Sequence, residues 1–178
     1  LPKDSFEHHA RNIWLYSFYI AGMRVSDVLK SRWSDFKDDR LFYVMGKNNK
    51  AGSLKVPAKA LVILNQYQNR QKNGKDLVFP DLDQIKDFSD KERVQRRLKK
   101  ATRRINKSLK TIAVQTNIAK PLTMHIARHT FGNISGDKIP IQLLQKLYRH
   151  SSILTTINYQ SNFTHSEEDK ALDSVLDY

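Results

Sequence analysis

The sequence predicts a mainly α domain with a small antiparallel β-sheet. Three observations predict it. Apolar residues recur at three- and four-residue spacing through most segments, as one face of a helix requires. Only two short runs are β-like, and they flank a polar loop ended by Pro57. The 178 residues are 39% hydrophobic and hold no internal repeat, low-complexity tract or Gly/Ser linker, so one domain with a real core is the simplest organisation.

Taken in order, Phe6, Ala10, Ile13, Trp14 and Ser17 place a helix over residues 5–20, which Gly22 stops. A short helix is expected from Val25 to Ser31. Strands are expected over Leu41–Met45 and Ser53–Val56, with the polar stretch Gly46–Gly52 between them. Residues Ala58 to Gln71 are predicted helical. Residues 90–113 form the clearest helix, because Val94, Leu98, Ala101, Ile105, Leu109 and Ile112 keep one apolar stripe. Ser89 and Glu92 have the spacing of a capping box at its start. Further helices are predicted at Met124–Ser135, at Pro140–Tyr148 with proline in the first turn, shortly after Ser151, and over His165–Asp177 behind a second capping-box pair, Thr164 and Glu167.

Charge restricts the function. Lys and Arg number 31 against 18 Asp and Glu, a net charge of +13 with a pI near 9.9. Such an excess repels itself unless a polyanion neutralises it, and nucleic acid is the usual one. The helix at 90–113 concentrates the excess, with eight Lys and Arg between Arg93 and Lys107, nearly all of one sign. Like charges one turn apart destabilise an isolated helix, and a phosphate backbone would relieve them. Arg96, Lys100 and Arg103 are therefore the candidate DNA-binding residues, against the plainer reading of a solvated face. Cysteine is absent, which excludes thiolate chemistry and disulfides and fits a reducing compartment. No apolar run approaches the ~20 residues of a membrane-spanning helix.

Four separated stretches carry the chemistry: Gly22-Met23-Arg24-Val25-Ser26-Asp27, Gly46-Lys47, His125-Ile126-Ala127-Arg128-His129-Thr130-Phe131, and His150-Ser151-Ser152 with Tyr159 nine residues after His150. Together they hold arginines, a lysine, histidines and a tyrosine, with no carboxylate pair and no phosphate-binding Gly-Lys-Ser/Thr loop. This set suits metal-free attack on a phosphodiester. Planar guanidinium groups clamp the non-bridging oxygens as charge builds there. A phenol oxygen can attack if its proton is taken, and the departing oxygen needs a general acid. His125 and His129 stand four apart like a zinc pair. Yet Ile126, Ala127 and Arg128 lie between them where the metalloprotease pattern needs a Glu, so no metal and no cofactor is expected. His129 is expected to be buried behind the site. Tyr16, Tyr19 and Tyr43 fall in apolar helix or strand positions, where core packing accounts for them.

In this order and at these separations, the four stretches resemble the tyrosine recombinases, the phage-integrase family, from about Phe6 to Tyr178. Gly-Met-Arg-Val-Ser-Asp looks like the family's first-arginine box, Leu122 to Phe131 like its His-x-x-Arg-His-Thr box, and Leu147 to Tyr159 like its last box. The resemblance implies that Tyr159 is the nucleophile, that Arg24 and Arg128 bind the scissile phosphate, and that Lys47 protonates the leaving oxygen. It implies that His125 accepts the tyrosine proton or orients the phosphate, and that His150 supports the phosphate by hydrogen bonding. The implied fold is a tyrosine recombinase-like catalytic domain. The implied activity is site-specific recombination of double-stranded DNA through a 3′-phosphotyrosyl intermediate, by a homotetramer on DNA that is a monomer when isolated, in the cytoplasm and at the nucleoid.

The alternatives are DNA relaxation of the type IB topoisomerase kind and a non-catalytic DNA-binding protein on the same scaffold. The chain opens on Leu1-Pro2, so residues 1–178 are expected to be the catalytic domain alone, without the separate N-terminal DNA-clamping domain such enzymes carry. The sequence departs from the family at Asp27, Ala127, Gly132 and Arg149. Arg149 stands where Gly is common, at a turn that glycine enters with positive φ and arginine enters at a cost.

Overall fold

The computed structural model describes residues 1–44, 51–71, 76–136 and 138–157, which divide into two compact units, 1–128 and 129–178.

The first unit opens with helix α1, Phe6–Tyr19. The Ser5 side chain accepts from the His8 amide and satisfies one of the orphan donors of the first turn. Helix α2 follows at Val25–Lys30. A three-stranded antiparallel sheet comes next, with β1 at Phe36–Lys37, β2 at Arg40–Val44 and β3 at Ala51–Lys55, in the order β1-β2-β3. Leu41 pairs with Phe36 on one side and Leu54 on the other. Side chains alternate across the strand, so Leu41 is fully buried while Phe42 and Val44 face outward. Helix α3, Ala58–Asn65, is shorter than the predicted 58–71. The chain leaves it, and residues Gln68–Arg70 form a separate 3-10 turn.

Helix α4, Lys91–Gln115, is the longest element. Its start differs from the expected box. Asp90 is the cap and accepts from the Arg93 amide, while Ser89 is bound by its backbone and hydroxyl to the Asp87 carboxylate. The predicted apolar stripe is the buried one, with Val94, Leu98, Ile105, Leu109 and Ile112 all sealed into the core. Each such side chain stabilises the fold by about 2 kcal/mol. They pack with Ile13 and Tyr16 of α1, Ile20 just past its end, Val28 and Leu29 of α2, and Phe79 and Leu82.

Helix α5 runs from Met124 to Ser135. In the second unit α6 spans Ile141–Tyr148 behind Pro140, which caps the helix from just outside it, and α7 spans Ile153–Ile157. Leu144, Tyr148 and Thr156 are fully buried there. The predicted helix His165–Asp177 lies outside the described residues.

Candidate active site

The turn after α1 carries the first arginine. Ala21 and Gly22 are both left-handed, with φ of 50° and 63°, and reverse the chain within two residues. Ser17 ties this turn down: its hydroxyl donates to the Met23 carbonyl at 2.6 Å, and the Met23 amide donates to the Ser17 carbonyl at 3.0 Å. Arg24 then returns to extended backbone and starts α2, half-buried.

Arg128 reaches the same turn from α5. Its Nη1 donates to the Gly22 carbonyl at 2.9 Å, and the residue is only 2% exposed. The helix approaches so closely that a Cβ on Gly22 would stand 2.9 Å from the Arg128 Cα. Glycine is required here both for its φ and for the space. One locked turn thus serves both arginines: Arg24 follows Gly22 by two positions, and Arg128 is held by the Gly22 carbonyl. A buried guanidinium held by a carbonyl is positioned before any anion arrives, which is what stabilising developing charge needs.

The start of α5 is anchored by two side chains. The Met124 amide donates to Asn106 Oδ1 of α4 at 2.9 Å, and Trp14 Nε1 of α1 donates to the Thr123 carbonyl at 2.9 Å. His125 sits exposed one turn before Arg128 on this helix. His129, expected to be buried, is half-buried. Among the described residues no group of three or more His, Cys, Asp and Glu side chains could hold a metal ion.

His150 belongs to the second unit. The end of α6 is closed by Arg149 in the left-handed region, φ 52° and ψ 36°. The Arg149 amide donates to the Lys146 carbonyl and the His150 amide to the Gln145 carbonyl, each at 3.1 Å. This double closure is the one glycine usually supports, and arginine makes it here. His150 is buried. Its Nδ1 shares a 3.0 Å hydrogen bond with Thr156 Oγ1, and its ring meets the Tyr148 ring edge-on at 5.3 Å. Thr156 thus faces inward to orient the imidazole, while Thr155 is exposed.

Lys47 and Tyr159 lie outside the described residues. The five described tyrosines all have packing roles. Tyr16 and Tyr148 are fully buried and Tyr67 nearly so, while Tyr19 and Tyr43 are half-buried beside the core. Burial raises the Tyr16 phenol far above its ordinary value and that of Tyr67 to about 12.

Arg96, Lys100 and Arg103 are all exposed on α4. Arg96 and Lys100 line a cleft of about 580 Å³ together with Asp90, Arg93 and Arg97, and Arg103 stands outside it. Sequence reasoning missed the Ser17 and Gly22 anchoring of the turn. It also missed a buried polar cluster of His9, Asn12, Tyr67 and Asp81, because both depend on contacts between distant segments.

Known proteins share this architecture. The chain is 29% identical over 148 residues to tyrosine recombinase XerC of Xanthomonas axonopodis pv. citri, covering 80% of this chain and 43% of that protein. It is 30% identical over 149 residues to XerC of Xanthomonas campestris pv. campestris, covering 80% and 41%. The chain thus spans less than half the length of these curated relatives. Among solved structures, the Tn1549 transposon integrase in complex with transposon right-end DNA matches with a TM-score of 0.71 at 12% identity, over 97% of this chain and 61% of that one. The XerA recombinase matches with a TM-score of 0.63 at 16% identity, over 94% and 62%. These two likenesses are of fold. The sequence model of the phage integrase family matches residues 4–166, nearly the whole chain, and the chain belongs to that family.

Proposed function

We propose that this chain is the catalytic domain of a site-specific DNA recombinase that cuts and rejoins strands through a covalent phosphotyrosine. The observation that carries the reading is the locked turn shared by Arg24 and Arg128, with Arg128 buried and fixed by the Gly22 carbonyl. Such a pair clamps the two non-bridging oxygens of a scissile phosphate and strengthens its hold as charge develops on them.

In the proposed step the Tyr159 phenol oxygen attacks phosphorus. A tyrosine O–P bond forms at the 3′ side and the bond from phosphorus to the 5′ oxygen breaks. The phenol proton passes to His125, which otherwise orients the phosphate, and Lys47 protonates the departing 5′ oxygen. His150, held by Thr156, donates to the phosphate. Rejoining is the reverse, with a 5′ hydroxyl of the partner strand as nucleophile.

Arg96, Lys100 and Arg103 contact the DNA backbone beside the site. The substrate is double-stranded DNA, bound by a homotetramer that is a monomer without DNA. No metal or cofactor takes part. Among the described residues no helix is long and apolar enough to cross a membrane, and the proposed location is the cytoplasm, at the nucleoid. The XerA, XerH and Tn1549 neighbours are recombinases or an integrase, two of them solved on DNA, and the XerC relatives are named as tyrosine recombinases. These names favour strand exchange over topoisomerase-like relaxation.

The test is covalent capture. A duplex nicked just 3′ of the cleavage position releases the short fragment that bears the 5′ hydroxyl, so rejoining fails and the adduct is trapped. The wild-type chain should form a protein–DNA adduct stable to denaturant, and Tyr159→Phe should abolish it while retaining DNA binding. An adduct that persists in Tyr159→Phe would move the nucleophile elsewhere, and no adduct with the wild-type chain would sink the catalytic reading.

A further inference from the structure

Helix α4 carries a second basic stripe, which shares only Lys100 with the DNA-contacting residues named above. Arg93, Arg97, Lys100 and Arg104 recur at spacings of four, three and four, so they share one flank of the helix beside the buried Val94, Leu98, Ala101 and Ile105. Two clefts open onto this flank and share Arg97 and Lys100. One is the cleft with Arg93 and Arg96. The other, about 480 Å³, is walled by Arg97, Lys100 and Arg104 against the start of α1 and Asp81.

The floor of this second cleft is already built. His9 Nε2 lies 2.9 Å from Asp81 Oδ2, and His9 Nδ1 shares a 2.8 Å hydrogen bond with the Tyr67 hydroxyl. The His9 and Asp81 side chains are 14% and 6% exposed. The Asp81 carboxylate is therefore occupied by His9 rather than by the cations opposite. Asp4 also lines the cleft, so three cations face two carboxylates there. The Arg104 guanidinium lies 3.8 Å over the Phe6 ring. Stacking uses the face of the guanidinium and leaves its in-plane N–H donors directed sideways, in the geometry that grips a phosphate bidentately. Among the described residues no carboxylate forms an ion pair with Arg97, Lys100 or Arg104. Like charges at three- and four-residue spacing repel each other, and the two carboxylates that line the cleft, Asp4 and Asp81, offset them only in part.

We propose that this cleft seats a backbone phosphate of duplex DNA, with Arg97 and Arg104 as binding residues beyond those of the catalytic site. The inference rests on the DNA reading above and extends the footprint along α4. From Arg93 to Arg104 the helix rises about 16 Å. One strand of duplex presents a phosphate every ~3.4 Å of axis, so the stripe is long enough to follow several successive phosphates. Tetrahedral phosphate suits a cleft with two planar guanidinium groups and an ammonium on one wall. DNA is preferred over a free anion because the two clefts adjoin in a line along the helix rather than forming one closed pocket.

The test measures affinity for duplex DNA against salt. Arg97→Gln with Arg104→Gln should flatten the slope of log K against log salt by roughly 0.9 for each phosphate no longer neutralised. Arg96→Gln with Arg103→Gln should flatten it separately, and the two effects should add. Since Arg104 also packs on Phe6, circular dichroism checks the fold, and Arg97→Gln alone serves if the double variant does not fold. An unchanged slope in a folded variant overturns the proposal. Inorganic phosphate and pyrophosphate, titrated while the His9 ring resonances are followed by NMR, probe the other source of the same chemistry. Saturable shifts abolished by Arg97→Gln, together with an unchanged DNA slope, would assign the cleft to a free anion and overturn the DNA claim. A flattened slope in a protein that forms no covalent adduct would sustain the cleft and sink the catalytic reading, so the two failures are separable.

Discussion

Gly22 is the residue on which the candidate site is built. Its φ of 63° is one that any other L-residue enters at about 1–2 kcal/mol, and a Cβ there would meet the Arg128 Cα at 2.9 Å. Gly22→Ala therefore strains the turn and pushes α5 away from it at the position that holds Arg128. The expected outcome is a folded domain destabilised by about 2 kcal/mol in chemical denaturation. Adduct formation should fall at least tenfold and DNA affinity should change little. A variant with the adduct rate of the wild type would show that the Arg128–Gly22 contact does not position the site. The sequence proposes Arg24 and Arg128 as site residues because each sits in a short contiguous motif. Their common anchor was not legible there, because the hydrogen bond that makes it joins residues 106 positions apart. Ser17 offered no signal either: at helix spacing it reads as one more residue of an apolar face, whereas its hydroxyl fixes the Met23 carbonyl.

At the scale of elements, periodicity located helices well and ended them poorly. The stripe of α4 was legible because six apolar residues repeat on one face of a helix 25 residues long. Its cap was not, since Ser89 and Asp90 are both good capping residues and only the Asp87 carboxylate, by binding Ser89, decides between them. Helix α3 ends at Asn65 because Tyr67 turns inward, its ring 4.9 Å from Phe79 and its hydroxyl on His9. A pattern of apolar residues cannot carry that. Strand β1 is two residues long, too short for alternation to show. The end of α6 was legible as a difficulty, because arginine stands where a left-handed turn is wanted, and Arg149 does adopt φ 52°. Comparing two variants isolates what that costs. Arg149→Gly and Arg149→Ala both remove a side chain from a residue that is 8% exposed, but only Ala keeps the left-handed penalty. The glycine variant should be more stable than the alanine variant by about 1 kcal/mol, the penalty less the extra freedom of unfolded glycine. Urea denaturation of the pair measures it, and equal stabilities would show that α6 ends in some other conformation.

For the whole molecule, a net charge of +13 sets the problem that the proposed assembly would have to solve. Protomers so charged would repel each other in solution, and DNA would offset that repulsion, as the proposed tetramer on DNA requires. The final segment, outside the described residues, departs from this balance in its sequence. Ala171, Leu172, Val175 and Leu176 make a short apolar stripe at helix spacing, and Glu167, Glu168, Asp169, Asp173 and Asp177 make the remainder acidic. If residues 165–177 form the helix that this pattern predicts, it is too short to be stable alone and persists only by docking. DNA would repel its acidic face, which would leave its apolar face to dock on protein, either on its own domain or on a neighbouring protomer. Tyr159 stands just before it, so docking on a neighbour would couple assembly to placement of the nucleophile. Leu172→Asp with Leu176→Asp separates the two. If the segment packs on a neighbour, the double variant keeps its circular dichroism spectrum and its affinity for a single site. It then fails to assemble on paired sites in a sedimentation assay, and strand exchange falls with it. If the variant is instead unfolded, the stripe belongs to the core of its own domain, and assembly must be held by another surface.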